Sequence, residues 1–225
     1  MEKTFVALDN MDKDQVRQLL SDYPQIKKVK IGLELYLKYG NSIVNEVADD
    51  FNVDIFLDLK LHDIPSTVAK AISALKGLPI SFLTIHASGG RKMLEAAYES
   101  AQVNLPNCQL LAVTILTSHT IREIKDIWGR EYKESLNALL NEITKAQITG
   151  LVCSAQDLTI ISEQENETNL SFTKVTPGIR LKNDESDDQT RIMTPEDAIK
   201  AGSNFLVVGR SITQNPNSIL EGHYP

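Results

Sequence analysis

In Asp58-Leu59-Lys60-Leu61-His62-Asp63-Ile64-Pro65-Ser66-Thr67, two carboxylates bracket one ammonium at short spacing. The apolar run Ile55-Phe56-Leu57 before it reads as a buried strand, and Val68-Ala69-Lys70-Ala71-Ile72 after it as a helix. Asp58 and Lys60 differ by two, so on an extended chain they project to the same side. Asp63 follows in the turn. Such a cluster is costly to desolvate at the mouth of a packed strand, so it calls for a functional reason. What it offers is a preorganised cation, Lys60, aimed by carboxylates.

Other strand ends carry similar groups. Asp9 ends the first apolar run, Lys30 lies on the second, His86 ends the fourth, and Thr117 and Ser118 follow the fifth. Gly178 and Arg180 follow the seventh, and Gly209 and Arg210 the eighth. The last two pairs suggest a phosphate site. Glycine admits close approach of the ligand, backbone N–H groups donate, and an arginine adds a charge-assisted contact. His62 and His86 read as structural, hydrogen-bonded residues, since no His-Glu-x-x-His or paired-cysteine spacing marks a metal site. Cys108 and Cys153 lie in or beside apolar runs and read as buried, reduced thiols. Trp128 and Tyr132 read as packing residues ahead of a helix.

These residues need a scaffold that gathers distant strand ends. Apolar, β-branched runs at Thr4–Asp9, Lys28–Gly32, Asp54–Lys60, Phe82–Ala87, 110–116, Gly150–Ser154, Lys174–Pro177 and Phe205–Gly209 predict eight strands buried on both faces. Amphipathic segments between them predict helices at 12–21, 34–49, 66–75, 90–101, 133–146, 155–162, 195–201 and 216–221. Thr194-Pro195-Glu196-Asp197 is a strong helix start, with a capping threonine and proline at the first helical position. Strand and helix alternating eight times predicts an α/β protein, a (β/α)8 TIM barrel forming one domain over residues 1–225. A doubly wound open sheet is the rival. It usually has fewer strands and often a glycine-rich first turn, whereas Asn-Met-Asp follows Asp9 here. The polar stretch Arg180–Thr190 falls after the seventh strand, on a barrel's active-site face, and reads as an active-site lid, with a solvated linker as the alternative.

Composition narrows the function. The 225 residues carry 23 basic and 30 acidic side chains, a net charge of −7, which argues against nucleic-acid or anionic-membrane binding. A local basic pocket for a phosphorylated small molecule remains compatible with it. No apolar run approaches the ~18 residues of a membrane span. The opening residues enter a strand directly and lack a signal-peptide pattern, so a cytoplasmic enzyme is expected.

The motif Asp58-x-Lys60-x-x-Asp63-Ile64-Pro65-x-Thr67 resembles the signature of the orotidine 5′-phosphate decarboxylases. Ala7-Leu8-Asp9, Val29-Lys30-Ile31-Gly32, Leu116-Thr117-Ser118, Thr176-Pro177-Gly178-Ile179-Arg180, Asp188-Gln189-x-Arg191 with Thr194-Pro195, and Val208-Gly209-Arg210 follow that family in order and approximate spacing. The Asp-x-Lys-x-x-Asp core is shared with sugar-phosphate decarboxylases and aldolases. The Ile-Pro-x-Thr extension and Gln189 favour the nucleotide enzyme.

The resemblance implies conversion of orotidine 5′-monophosphate (OMP) to uridine 5′-monophosphate (UMP) and CO2 in pyrimidine synthesis, with no metal and no organic cofactor. It implies a homodimer in which Asp63, Ile64 and Thr67 serve the partner's site. Lys60 would stabilise and protonate the C6 carbanion, with Asp58 and the partner's Asp63 keeping it charged and aimed. Lys30 and Asp9 would extend the charged network and bind ribose hydroxyls. Thr117 would meet the pyrimidine edge. Gln189, Gly209 and Arg210 would grip the phosphate, with Arg180 lining that end. Two rivals remain: a metal-using sugar-phosphate decarboxylase or aldolase, and a non-catalytic barrel that binds a phosphorylated ligand.

Overall fold

The computed structural model describes residues 1–181 and 193–225. Eight parallel strands close into a barrel in chain order: β1 Thr4–Ala7, β2 Lys28–Gly32, β3 Asp54–Leu61, β4 Phe82–His86, β5 Gln109–Val113, β6 Gly150–Val152, β7 Thr173–Thr176 and β8 Phe205–Val208. β1 pairs with β8 through Phe5 and Val207, which leaves no open edge. The (β/α)8 barrel is therefore the fold, and the open-sheet rival is excluded. All eight expected strands are present, with no end shifted by more than three residues.

Two apolar layers hold it. Phe5, Phe56, Phe82 and Phe205 pack edge-to-face or tilted inside one end of the barrel, at centroid separations of 5.4–6.1 Å. Val113, Val152, Val175 and Val207 belong to the same inner cluster, so the barrel interior is filled rather than hollow. The second layer lies between the barrel and its helices and includes Val16, Ile43, Val68, Leu94, Leu136 and Ile161.

The helix expected over 216–221 is only a 3-10 turn, Pro216–Ile219, and the helices depart from expectation in three further places. The segment expected as one helix over 34–49 is two, α2 Leu33–Tyr39 and α3 Asn41–Phe51, after α1 Lys13–Asp22. Gly40 divides them: at φ 62 it leaves helical space, and its N–H caps Tyr36 O at 2.7 Å. After α4 Pro65–Ala74 and α5 Arg91–Asn104 comes an unexpected helix, α6 Ile121–Trp128. Thr120 and Glu123 form its capping box, and Ile124 is its buried anchor. Trp128 therefore ends a helix, and Tyr132 begins the next, α7 Tyr132–Lys145. α8 Leu158–Thr168 and α9 Pro195–Lys200 follow, the latter started by Thr194 and Pro195 as read from the sequence. The third departure is a single helical turn, α10 Arg210–Thr213, directly after Gly209.

Candidate active site

Strand β3 positions the charged cluster, and it does so irregularly. β3 pairs with β4 at Leu57↔Leu83 and again at Leu61↔Ile85. Three residues, Asp58, Leu59 and Lys60, thus face the single residue Thr84. The excess bends the strand, and Lys60 takes φ 48, a left-handed conformation uncommon for a long side chain. Asp58 and Lys60 do meet, but through this bulge rather than through simple strand alternation.

The cluster is a row of alternating charges. Lys30 Nζ donates to Asp9 Oδ1 at 2.9 Å and Oδ2 at 3.0 Å, and stands 3.4 Å from Asp58 Oδ2. Lys60 Nζ donates to the same Asp58 oxygen at 2.7 Å. The row runs Asp9, Lys30, Asp58, Lys60, negative and positive in turn. Lys30 and Asp58 are nearly sealed, each with 9% of the side chain exposed, whereas Lys60 keeps 32% and can reach a ligand. An ammonium buried to this degree costs several kcal/mol unless paired, and Lys30 has a nearly sealed partner in Asp58 and a more exposed one in Asp9. Burial is the largest single influence on Asp58 and would raise its pKa. Lys30 and Lys60, with the hydrogen bonds from Lys60 and Thr84, outweigh it and hold the carboxyl below its ordinary value.

Gly32 makes room for the row. A Cβ there would stand 2.5 Å from Asp9 Oδ1 and 3.1 Å from Lys30 Nζ. The glycine was legible only as part of a motif, and its reason is this close approach.

The row forms one wall of a cavity of about 390 Å3 at the C-terminal end of the barrel. Thr117, Gly178, Arg180, Gly209 and Arg210 line the same cavity, with Phe56, Val113, Val152 and Val207 among its apolar residues. Asn10, Cys153, Pro177 and Thr213 also line it, and sequence reasoning did not single them out for the site. Asp9, Lys30, Asp58, Lys60, Thr117, Arg180, Gly209 and Arg210 are therefore gathered from six strand ends. Arg180 is buried and donates from Nη1 to Ile179 O at 3.0 Å. Gly209 has φ −105, so its value is space rather than left-handed geometry: a Cβ there would have Ala7 Cβ alone within 4 Å, at 3.7 Å.

Asp63, Ile64 and Thr67 are not among the lining residues. All three are exposed, Ile64 at 64%, and Asp63 Oδ1 accepts from the Ile64 N–H at 2.6 Å. Gln189 and most of the 180–190 stretch lie outside the described residues.

His62 and His86 lie ring to ring, 5.2 Å between centroids, at a second cavity shared with His119 and Trp128. Burial first, then His62 and Lys60, push the His86 pKa down to about 4, with Asp58 opposing. Both cysteines are free. Cys153 is buried and Cys108 half-buried, and burial pushes both thiols up, Cys108 to about 12. Among the described residues, no three His, Cys, Asp or Glu side chains are grouped to hold a metal ion, and no helix is long and apolar enough to cross a membrane.

Known proteins resemble this chain over nearly its whole length. A protein named orotidine 5′-phosphate decarboxylase from Staphylococcus saprophyticus is 42% identical over 222 residues, covering 97% of this chain and 94% of its own. One of the same name from Saccharophagus degradans is 42% identical over 214 residues, covering 93% and 87%. A crystal structure of orotidine 5′-phosphate decarboxylase from Lactobacillus acidophilus superposes with a TM-score of 0.80 at 31% identity, covering 97% of this chain and 96% of that one. The family model described as "Orotidine 5'-phosphate decarboxylase / HUMPS family" matches residues 2–222, and the chain belongs to that family.

Proposed function

We propose that this protein is a carboxy-lyase that converts OMP to UMP and CO2, with Lys60 as the residue that meets the developing charge. The observation that carries the reading is the row Asp9–Lys30–Asp58–Lys60, which ends in the one partly exposed ammonium, inside a cavity also lined by Gly209 and Arg210. Relatives bearing that activity in their names, at 42% identity over most of the chain, support it.

The geometry supports the following chemistry. When the bond between C6 and the carboxylate breaks, CO2 departs and the electron pair stays on C6. That carbon is vinylic and has no good resonance sink, so the pair needs a fixed positive charge beside it. Lys60 Nζ supplies the charge and then a proton, and regains its proton from solvent. Asp58 aims Lys60, and the partner's Asp63 completes the aim in a homodimer. Asp9 and Lys30 bind the ribose hydroxyls. Thr117 meets the pyrimidine edge, and Ile64 and Thr67 close the neighbouring site. Arg210, Gly209 and Arg180 receive the phosphate, together with Gln189 by family resemblance. Phosphate binding far from C6 provides energy that can be used in the transition state.

The metal-using sugar-phosphate branch would need acids open to a cation. Here Lys30 stands between Asp9 and Asp58, which favours the nucleotide reading. The test is incubation with OMP, following loss of its ultraviolet absorbance, with and without EDTA. Turnover that persists in EDTA is expected. No turnover of OMP, or turnover abolished by EDTA and restored by magnesium, would overturn the proposal.

A further inference from the structure

We infer that Thr84 is a positioning residue for decarboxylation, its single hydroxyl fixing both the backbone of Lys60 and the carboxylate of Asp58. The inference rests on the proposed function, and two observations carry it.

The first is the register. Between Leu57↔Leu83 and Leu61↔Ile85, β4 offers one residue to three on β3. Regular ladder bonding has no place for the extra N–H and C=O groups. A buried N–H without an acceptor destabilises the fold, because it gives up its bond to water and gains none. The Lys60 N–H finds its acceptor in Thr84 Oγ1, at 2.9 Å. The side chain of the lone facing residue thus does what its backbone cannot.

The second is the proton count. A threonine hydroxyl has one hydrogen to donate. Accepting from Lys60 N leaves that hydrogen free, and Thr84 Oγ1 donates it to Asp58 Oδ1 at 2.9 Å. The other Asp58 oxygen receives Lys60 Nζ at 2.7 Å and faces Lys30 Nζ at 3.4 Å. Thr84 is fully buried, so solvent does not compete for either bond. The direction of both bonds is fixed, because a backbone amide can only donate and an ionised carboxylate can only accept. Lys60 is held at φ 48 from one side, and the carboxylate that orients its ammonium is held from the same atom. Serine keeps that atom; valine keeps the shape and removes it.

The test compares Thr84→Val with Thr84→Ser. Misplacing reacting groups by about 1 Å costs on the order of 100-fold in rate. In Thr84→Val, kcat for OMP should fall by about that factor, while the dissociation constant for UMP stays within about threefold. Thr84→Ser should recover kcat to within about tenfold of wild type. The acid limb of the kcat–pH profile should move to higher pH in Thr84→Val, because Asp58 loses a donor that favours its charged form. Hydrogen exchange at the Lys60 amide reads the clamp without any substrate. Protection should survive in Thr84→Ser and be lost in Thr84→Val. An equally protected amide in Thr84→Val, a kcat within threefold of wild type, or a Thr84→Ser as slow as Thr84→Val would each overturn the inference. Wild-type protein inert toward OMP would instead overturn the proposed function, and the exchange result would still decide whether Thr84 holds Lys60.

Discussion

Lys60 Nζ lies 2.7 Å from Asp58 Oδ2 on a backbone that is left-handed at Lys60, at φ 48. A non-glycine residue in that region costs about 1–2 kcal/mol. Here the cost falls on the residue that carries the ammonium. Glycine relieves it and alanine does not. Lys60→Gly should therefore be more stable than Lys60→Ala by about 1 kcal/mol in urea unfolding, reversing the usual order in a strand. A glycine variant less stable than the alanine variant would mean that the backbone there is unstrained.

Gly32→Ala is expected to impair ligand binding more than folding. The added methyl falls 2.5 Å from Asp9 Oδ1, and that carboxylate, with 45% of its side chain exposed, can swing away. Lys30 then loses a partner at the ribose end of the site. A rise of about tenfold in KM for OMP, with a stability change under ~1 kcal/mol, is the expected pattern in parallel kinetics and denaturation. An unchanged KM would remove Asp9 from the binding role.

His86 provides a pH test of stability. Its folded pKa lies near 4 against an ordinary 6.5, chiefly through burial. The unfolded chain therefore takes up this proton first as pH falls. The contribution is fully favourable above 6.5, declines between 6.5 and 4, and levels off below. His86→Gln should flatten that part of the curve when the urea midpoint is followed from pH 7 to 4. An identical slope in both proteins would show that His86 titrates normally in the fold.

Exposure of Asp63, Ile64 and Thr67 outside the cavity is what a shared site in a two-fold dimer requires. Lys60→Ala and Asp63→Ala should each be nearly inactive alone. After subunit exchange about half the dimers are hybrid, and each hybrid has one site with both lesions and one with neither. Mixing equal amounts should restore roughly a quarter of wild-type activity. Absence of recovery, with exchange demonstrated by mass, would place Asp63 in its own chain's site.

Much of this was legible in residue order. The strands were, because parallel strands buried on both faces read as continuous apolar runs such as Ile55–Leu57 and Leu206–Val208. The site was largely legible because a barrel brings strand ends together whatever their separation in sequence, so Asp9 and Arg210 could be assigned to one mouth. The bulge at Asp58–Lys60 was not. It depends on how many residues β4 sets against β3, which is a pairing property and leaves no periodic trace. Thr84 went unnoticed for the same reason, as a polar residue inside an apolar strand. The break at Gly40 and the helix at Ile121–Trp128 did leave signals, a glycine within a helical pattern and a Thr-x-x-Glu box. Amphipathic periodicity outweighed the first, and the short length of α6 hid the second.

Lys60 is proposed to carry the chemical step, and kcat of Lys60→Ala toward OMP measures that role. The substitution leaves Asp9, Lys30 and the phosphate end in place, so UMP affinity should remain within about tenfold while kcat falls by more than a thousandfold. A folded Lys60→Ala protein turning over within tenfold of wild type, only ~1.4 kcal/mol of barrier, would show that another group carries the step.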